Sequence, residues 1–203
     1  MTKVIGIDEA GRGPALGPLV IGITEWNPGV APELEDQDLT LRDSKKLSAQ
    51  QRDSTYSFLK KNLRHTVCSI PAWVISRPDE TIPQLEARVI SNALQYFDAH
   101  DVYSDALGSG NRAHRWIKNE FPERSFQFES GADDTYPAVS AASVLAKVTR
   151  DRAISSLESS YGDVGSGYPS DPSTQRWLES WSNKPDWPAF VRTNWSTVQD
   201  LEN

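Results

Sequence analysis

Val4, Ile5, Gly6 and Ile7 make a short apolar run that ends on Asp8, and Leu19 to Thr24 make a second. Gly11-Arg12-Gly13-Pro14 punctuates the chain between them, so two buried strands joined in hairpin fashion are predicted. Residues 29–38 are acidic and interrupted by proline, the pattern of an exposed connection. Ser48 is placed to cap a helix reaching about Asn62, with Phe58, Leu59 and Leu63 at helical spacing behind Leu47. A strand over residues 65–70 follows and is stopped by Pro71.

Leu85, Val89, Ile90, Ala93, Leu94 and Phe97 fall on one stripe and predict a helix over residues 81–97, with Pro83 in its first turn. Residues 102–106 read as a strand, Trp116 and Ile117 mark a helix, and Phe126 and Phe128 alternate as a strand. Residues 137–157 form a long alanine-rich helical pattern. Strands come first, then helices and strands alternate, which predicts an α/β fold: a mixed central sheet flanked by helices. Beyond Tyr161 the texture changes. Gly162, Gly165, Gly167, Pro169 and Pro172 cluster, and Trp177, Trp181, Trp187 and Trp195 follow. The chain is therefore divided into a main domain over residues 1–160 and a small helical C-terminal extension over 161–203, packed on it.

With 37% hydrophobic and 24% charged residues, the composition is that of a packed protein rather than a disordered one. The start, Met-Thr-Lys followed directly by a strand, lacks the pattern of a signal peptide, and no apolar run approaches a bilayer span, so a cytoplasmic protein is expected. Cys68 is the single cysteine, which excludes an internal disulfide and a thiolate zinc cluster; its neighbours Val67 and Ile70 suggest a buried strand residue. A formal net charge of −7 argues against coating nucleic acid by bulk charge, but leaves room for a local basic groove.

Chemistry is suggested first by acids at the ends of elements. Asp8 and Glu9 stand where the first strand runs into a glycine turn, Asp105 closes another strand, and Asp133 and Asp134 stand at the start of the long helix. Open α/β sheets build their sites at strand ends, and hard divalent cations favour oxygen ligands. Each acid taken alone reads more often as a cap or a solvated charge than as a metal ligand. The consecutive pair Asp8 and Glu9 has no packing reason to follow an apolar strand.

The string from Gly6 to Pro14, Gly-Ile-Asp-Glu-Ala-Gly-Arg-Gly-Pro, resembles the opening signature of ribonuclease HII, the type 2 ribonucleases H, in archaeal form. Further segments resemble family motifs in the family's order: residues 42–47 (Arg-Asp-Ser-Lys-Lys-Leu), Ala132-Asp133-Asp134, residues 139–151, residues 165–172, and Val191-Arg192 with Trp195. The resemblance implies a ribonuclease H-like fold and an endonuclease that hydrolyses the RNA strand of RNA/DNA hybrids. It further implies cutting at single ribonucleotides embedded in duplex DNA, products with 3′-hydroxyl and 5′-phosphate ends, and a role in removing RNA primers and misincorporated ribonucleotides.

By motif position the resemblance makes Asp8, Glu9, Asp105 and Asp133 both the catalytic residues and the ligands of two divalent ions, Mg2+ or Mn2+, with Asp134 a rival to Asp133. Gly11, Arg12 and Gly13 are implied to grip the backbone at the ribonucleotide, where a bare glycine backbone can approach the 2′-hydroxyl. Tyr168 is implied to stack at the RNA–DNA junction. Lys45, Lys46, Lys147 and Arg150 are implied to pair with phosphates; without the motifs each reads as a solvated surface cation. The chain departs from the family at Gly131, where lysine is usual, at Pro83, and at Ala106-Leu107-Gly108 after Asp105.

His65, His100 and His114 show no metal-binding spacing and read as structural or surface residues. A phosphate-loop NTPase is excluded because no Gly-Lys-Ser/Thr follows the glycine-rich turn. A hybrid-binding module without catalysis is the alternative of a different class, and the presence of all four acids weighs against it. Trp177 and Trp181, four residues apart, read as core packing rather than a base-stacking platform. A monomer is expected.

Overall fold

The computed structural model describes residues 2–41, 48–108 and 112–202. One five-stranded sheet organises them, in the order β3-β2-β1-β4-β5. Its strands are β1 (Val4–Ala10), β2 (Leu19–Trp26), β3 (Arg64–Ile70), β4 (Asp101–Asp105) and β5 (Ser125–Glu129). The first three pair antiparallel, as the predicted hairpin requires, and β1, β4 and β5 run parallel. The C-terminal ends of β1, β4 and β5 therefore lie side by side, which brings the acids of three distant segments to one end of the sheet.

The helices are α1 (Val30–Glu35), α2 (Ala49–Asn62), α3 (Ala72–Ile75), α4 (Ile82–Leu94), α5 (Arg112–Glu120), α6 (Ala132–Thr135), α7 (Pro137–Tyr161), α8 (Pro172–Trp181) and α9 (Ser196–Gln199). Ser48 caps α2 with the reciprocal Gln51 bond of a capping box, and Thr81 with Gln84 does the same for α4. Two expectations change. The proline-broken connection contains the short helix α1, since a proline in the first turn removes no intrahelical bond. Asp133 and Asp134 sit in their own single-turn helix α6, before α7 rather than at its start.

The pleat sorts β1 residues between two cores. Ile5 and Ile7 face α4 and α5, packing with Leu85, Ile90 and Ile117. Gly6 faces α7, and a Cβ there would meet the Ala138 carbonyl carbon at 2.1 Å. Gly22 of β2 meets the carbonyl of Ala142 in the same way, at 2.3 Å. These two glycines let α7 lie directly on the sheet, and Thr24 fixes the crossing by donating its hydroxyl to the Ala138 carbonyl at 2.8 Å. Cys68, expected in the interior, is only half-buried, because β3 is the sheet's edge strand.

A third cluster joins the two ends of the chain. Ala15 and Leu16 pack with Ile154 of α7 and with Val164, Trp177, Leu178, Val191 and Val198. The segment after Tyr161 thus shares its core with the loop between β1 and β2. No helix among the described residues is long and apolar enough to cross a membrane.

Candidate active site

Asp8 and Glu9 end the same strand, so the pleat sends their side chains to opposite faces. Asp8 turns toward α7, where its carboxyl meets Ser143, accepts from the Glu9 amide at 2.8 Å, and is only 6% exposed. Ile7 pairs with Ser104, and one residue further along each strand come Asp8 and Asp105. Asp105 faces the same side. Its Oδ1 accepts from the amides of Ala106 at 2.8 Å and Gly131 at 2.9 Å. Gly131 reaches that position with φ +74, a backbone region that lysine enters only with strain. The contact on Asp105 is a backbone amide, held in place by this left-handed turn.

Asp133 projects from α6 toward the same pair, whereas Asp134 is exposed. Burial first, and then the charges of Asp105 and Asp133, push the Asp8 carboxyl up to about 7, although Ser143 and the Glu9 amide draw it down. Three of the four expected acids are therefore brought together on the α7 face.

Glu9 sits on the α4 face with a partner that the sequence pattern did not reveal. Glu86, fully buried in the second turn of α4, binds the Arg12 guanidinium, whose Nη1 is also 3.5 Å from Glu9 Oε1. One guanidinium thus serves two buried carboxylates. Glu9 Oε2 and Glu86 Oε2 are both buried without a hydrogen-bond partner. Burial, followed by the charges of Glu86 and Asp8, pushes the Glu9 carboxyl upward. Gly108 makes room for this arrangement, since a Cβ there would meet Arg12 Nη2 at 2.3 Å. The unusual glycine after Asp105 is where the Arg12 side chain lies.

The all-oxygen donor set, its excess negative charge and the unsatisfied Glu9 Oε2 fit a hard divalent cation. Among the described residues, no three acidic, imidazole or thiol side chains are already drawn into a metal cage. Glu9 starts on the other face of the strand from Asp8.

The glycine-arginine-glycine turn lies beside the acids and is held from below. Arg192, fully buried, donates from Nε to the Gly17 carbonyl at 3.1 Å and from Nη1 to the Arg12 carbonyl at 2.8 Å. Its Nη2 donates to the Gly11 carbonyl, and Trp195 Nε1 donates to the Gly13 carbonyl at 2.9 Å. Burial, with Arg150 beside it, pushes the Arg192 guanidinium down to about 9. Tyr168 is 41% exposed and stands next to Gly13.

Of the cations expected at phosphates, Arg150 is buried: its Nη2 donates to the Ser166 carbonyl at 2.7 Å and its guanidinium lies 5.1 Å from the Tyr168 ring. The structure places it under the Tyr168 loop rather than at the surface. Lys147 is half-buried on α7, one turn after Ser143. Lys45 and Lys46 lie outside the described residues.

A mixed five-stranded sheet of this order, flanked by helices and followed by a helical C-terminal part, is a ribonuclease H-like fold. The chain belongs to the ribonuclease HII family, whose sequence model matches residues 5–198. It is 38% identical to ribonuclease HII of Thermococcus kodakarensis over 98% of this chain and 89% of that protein. Its structure superposes on ribonuclease H2 from Pyrococcus horikoshii with a TM-score of 0.87, at 39% identity over 98% and 97% of the two chains. It also superposes on ribonuclease HII of Archaeoglobus fulgidus, solved in complex with PCNA, with a TM-score of 0.84, at 30% identity over 96% and 95%. The protein is accordingly a ribonuclease H, an endonuclease acting on RNA/DNA substrates, of a divalent-metal-dependent family.

Proposed function

We propose that Asp8, Glu9, Asp105 and Asp133 together hold two divalent ions, Mg2+ or Mn2+, at which the RNA strand is cut to leave 3′-hydroxyl and 5′-phosphate ends. The observation that carries this reading is the convergence of Asp8, Asp105 and Asp133, with the Asp8 carboxyl pushed up to about 7 by burial and by its two neighbours. Such a cluster is costly in isolation and is relieved by a cation. When bound, the ions supply Lewis-acid activation of water and neutralise the charge that develops on the phosphate.

The chain's own residues do the positioning. Arg192 and Trp195 turn the carbonyls of Gly11, Arg12 and Gly13 inward, which leaves the bare backbone of the turn to approach a ribose 2′-hydroxyl. Tyr168, exposed beside Gly13 and supported by Arg150, offers its ring to the sugar or base at an RNA–DNA junction. Lys147, one turn after Ser143 on α7, pairs with a phosphate, and Lys45 and Lys46 do so from their motif. The enzyme works as a cytoplasmic monomer, removing primers and single misincorporated ribonucleotides.

The test is cleavage of two end-labelled duplexes, a continuous RNA/DNA hybrid and DNA carrying one ribonucleotide, with Mg2+, Mn2+ or chelator. Metal-dependent cutting of both by wild type and of neither by Asp8→Asn is expected. Cutting of the hybrid alone removes the junction role of Tyr168. Binding without cutting under either metal makes the chain a hybrid-binding module instead.

A further inference from the structure

Helix α5 presents Arg112, Arg115, Trp116 and Asn119 on one exposed stripe, at i, i+3, i+4 and i+7, while Ala113, His114 and Ile117 face the core. Trp116 is 42% exposed, and Arg112, Arg115 and Trp116 line a shallow groove with Thr81 and Gln84 from the start of α4. The groove opens at the acid end of the sheet. Glu86, one turn into α4, binds Arg12, and the Leu107 amide donates to His114 Nε2 at 3.0 Å, tying the first turn of α5 to the loop after Asp105.

The charge of this stripe is uncommitted. Among the described arginines, Arg112 and Arg115 are the two that make no ion pair, hydrogen bond or ring contact. The acids preceding α4 are already engaged, Asp79 by Arg77 and Glu80 by Arg88, each at 2.8 Å. At the site itself Arg12 is bound to Glu86, Arg150 to the Ser166 carbonyl and Arg192 to the turn. In a chain of net charge −7, two free guanidiniums beside an exposed indole at the acid end are a local exception that suits a polyanion.

We propose that Arg112 and Arg115 bind consecutive phosphates of the duplex where it runs past the acids, with Trp116 packing on the adjoining sugar. This is a second contact, remote from the scissile bond, that extends the footprint on the substrate. It rests on the nuclease reading for the identity of the duplex. Two guanidiniums one turn apart match a phosphodiester backbone, and nothing in the stripe reads base edges, so the contact adds affinity without sequence preference.

The test is the salt dependence of binding to a fluorescently labelled RNA/DNA hybrid that runs well past the site, in chelator so that nothing is cut. Wild type is compared with Arg112→Ala/Arg115→Ala and with the charge-preserving Arg112→Lys/Arg115→Lys. Loss of two phosphate contacts flattens the slope of log affinity against log salt by about 1.8, at about 0.9 per phosphate. The lysine pair keeps the wild-type slope, and a short hybrid confined to the acids shows no difference between proteins. Arg115→Ala alone, with half the change, serves if the alanine pair does not fold. Coincident slopes for wild type and a folded alanine variant overturn the proposal.

Cleavage with Mg2+ is measured in parallel. A wild type that cuts while the slopes coincide keeps the nuclease and removes this surface. Slopes that differ in a wild type that cuts nothing keep the surface and remove the nuclease.

Discussion

Arg192, near the C-terminus, donates from Nη1 to the backbone carbonyl of Arg12 at 2.8 Å and is itself completely buried. Its other nitrogens reach Gly11 and Gly17, so one side chain satisfies three carbonyls of the segment that carries the glycine-arginine-glycine turn. The C-terminal segment therefore shapes the site as well as packing on it. Arg192→Ala leaves those buried acceptors unsatisfied, at about 1–3 kcal/mol for each that water cannot reach. The expected outcome is a lower melting temperature together with a raised KM for hybrid cleavage. Arg192→Lys, which supplies one point donor rather than a fork, recovers only part of either. A variant with wild-type KM would show that the turn holds its shape without this clamp.

The Asp8 carboxyl gives stability a pH dependence of definite sign. Its value rises from 3.8 in the open chain to about 7 in the fold, so the folded state binds the proton more tightly. Below about pH 4 the group is protonated in both states and costs nothing. As pH climbs through 7 the folded protein must carry a buried charge, and the stability lost approaches about 4 kcal/mol. In chelator, the melting temperature of the wild type is expected to fall from about pH 4 and to level off a little above pH 7. Asp8→Asn reduces that fall and is the more stable protein at the upper end, though inactive; the upward push on Glu9 leaves a residual slope. Divalent metal restores the wild type at pH 8 and does little for the variant. A wild type whose melting temperature is flat across this range would show that Asp8 is not desolvated as the structure places it.

Legibility of the site in the sequence followed the period of each element. A short apolar run located β1, and the glycine turn after it marked where Asp8 and Glu9 emerge, but not that the pleat would part them onto opposite faces. Parallel pairing of β1 with β4 and of β4 with β5 is a long-range property, and no local pattern announces that Asp105 arrives beside Asp8. Glu86 was hidden for a different reason: an acid inside an apolar helical stripe reads as a solvated position until the chain brings Arg12 to it. Arg192 was visible as part of a family-like motif, yet its role depends on the carbonyls of residues at the other end of the chain. Arg150 shows the converse, a basic residue in a motif that burial turns from a surface contact into a support.

Trp177 tests whether the tryptophan-rich C-terminal segment serves as a core or as a stacking platform. Its side chain is 6% exposed, its Nε1 donates to the Tyr161 carbonyl at 3.0 Å, and it stacks on Trp181 with ring centroids 5.0 Å apart. A buried, hydrogen-bonded indole has no face left for a base. Trp177→Ala opens a cavity beside Tyr161, Trp181 and Phe190 and is expected to cost about 3–5 kcal/mol. Affinity for a hybrid, measured well below the lowered melting temperature, changes little by comparison, because Tyr168 and the clamped turn still form. Unchanged stability with lost binding would assign the indole to the substrate and overturn the packing assignment.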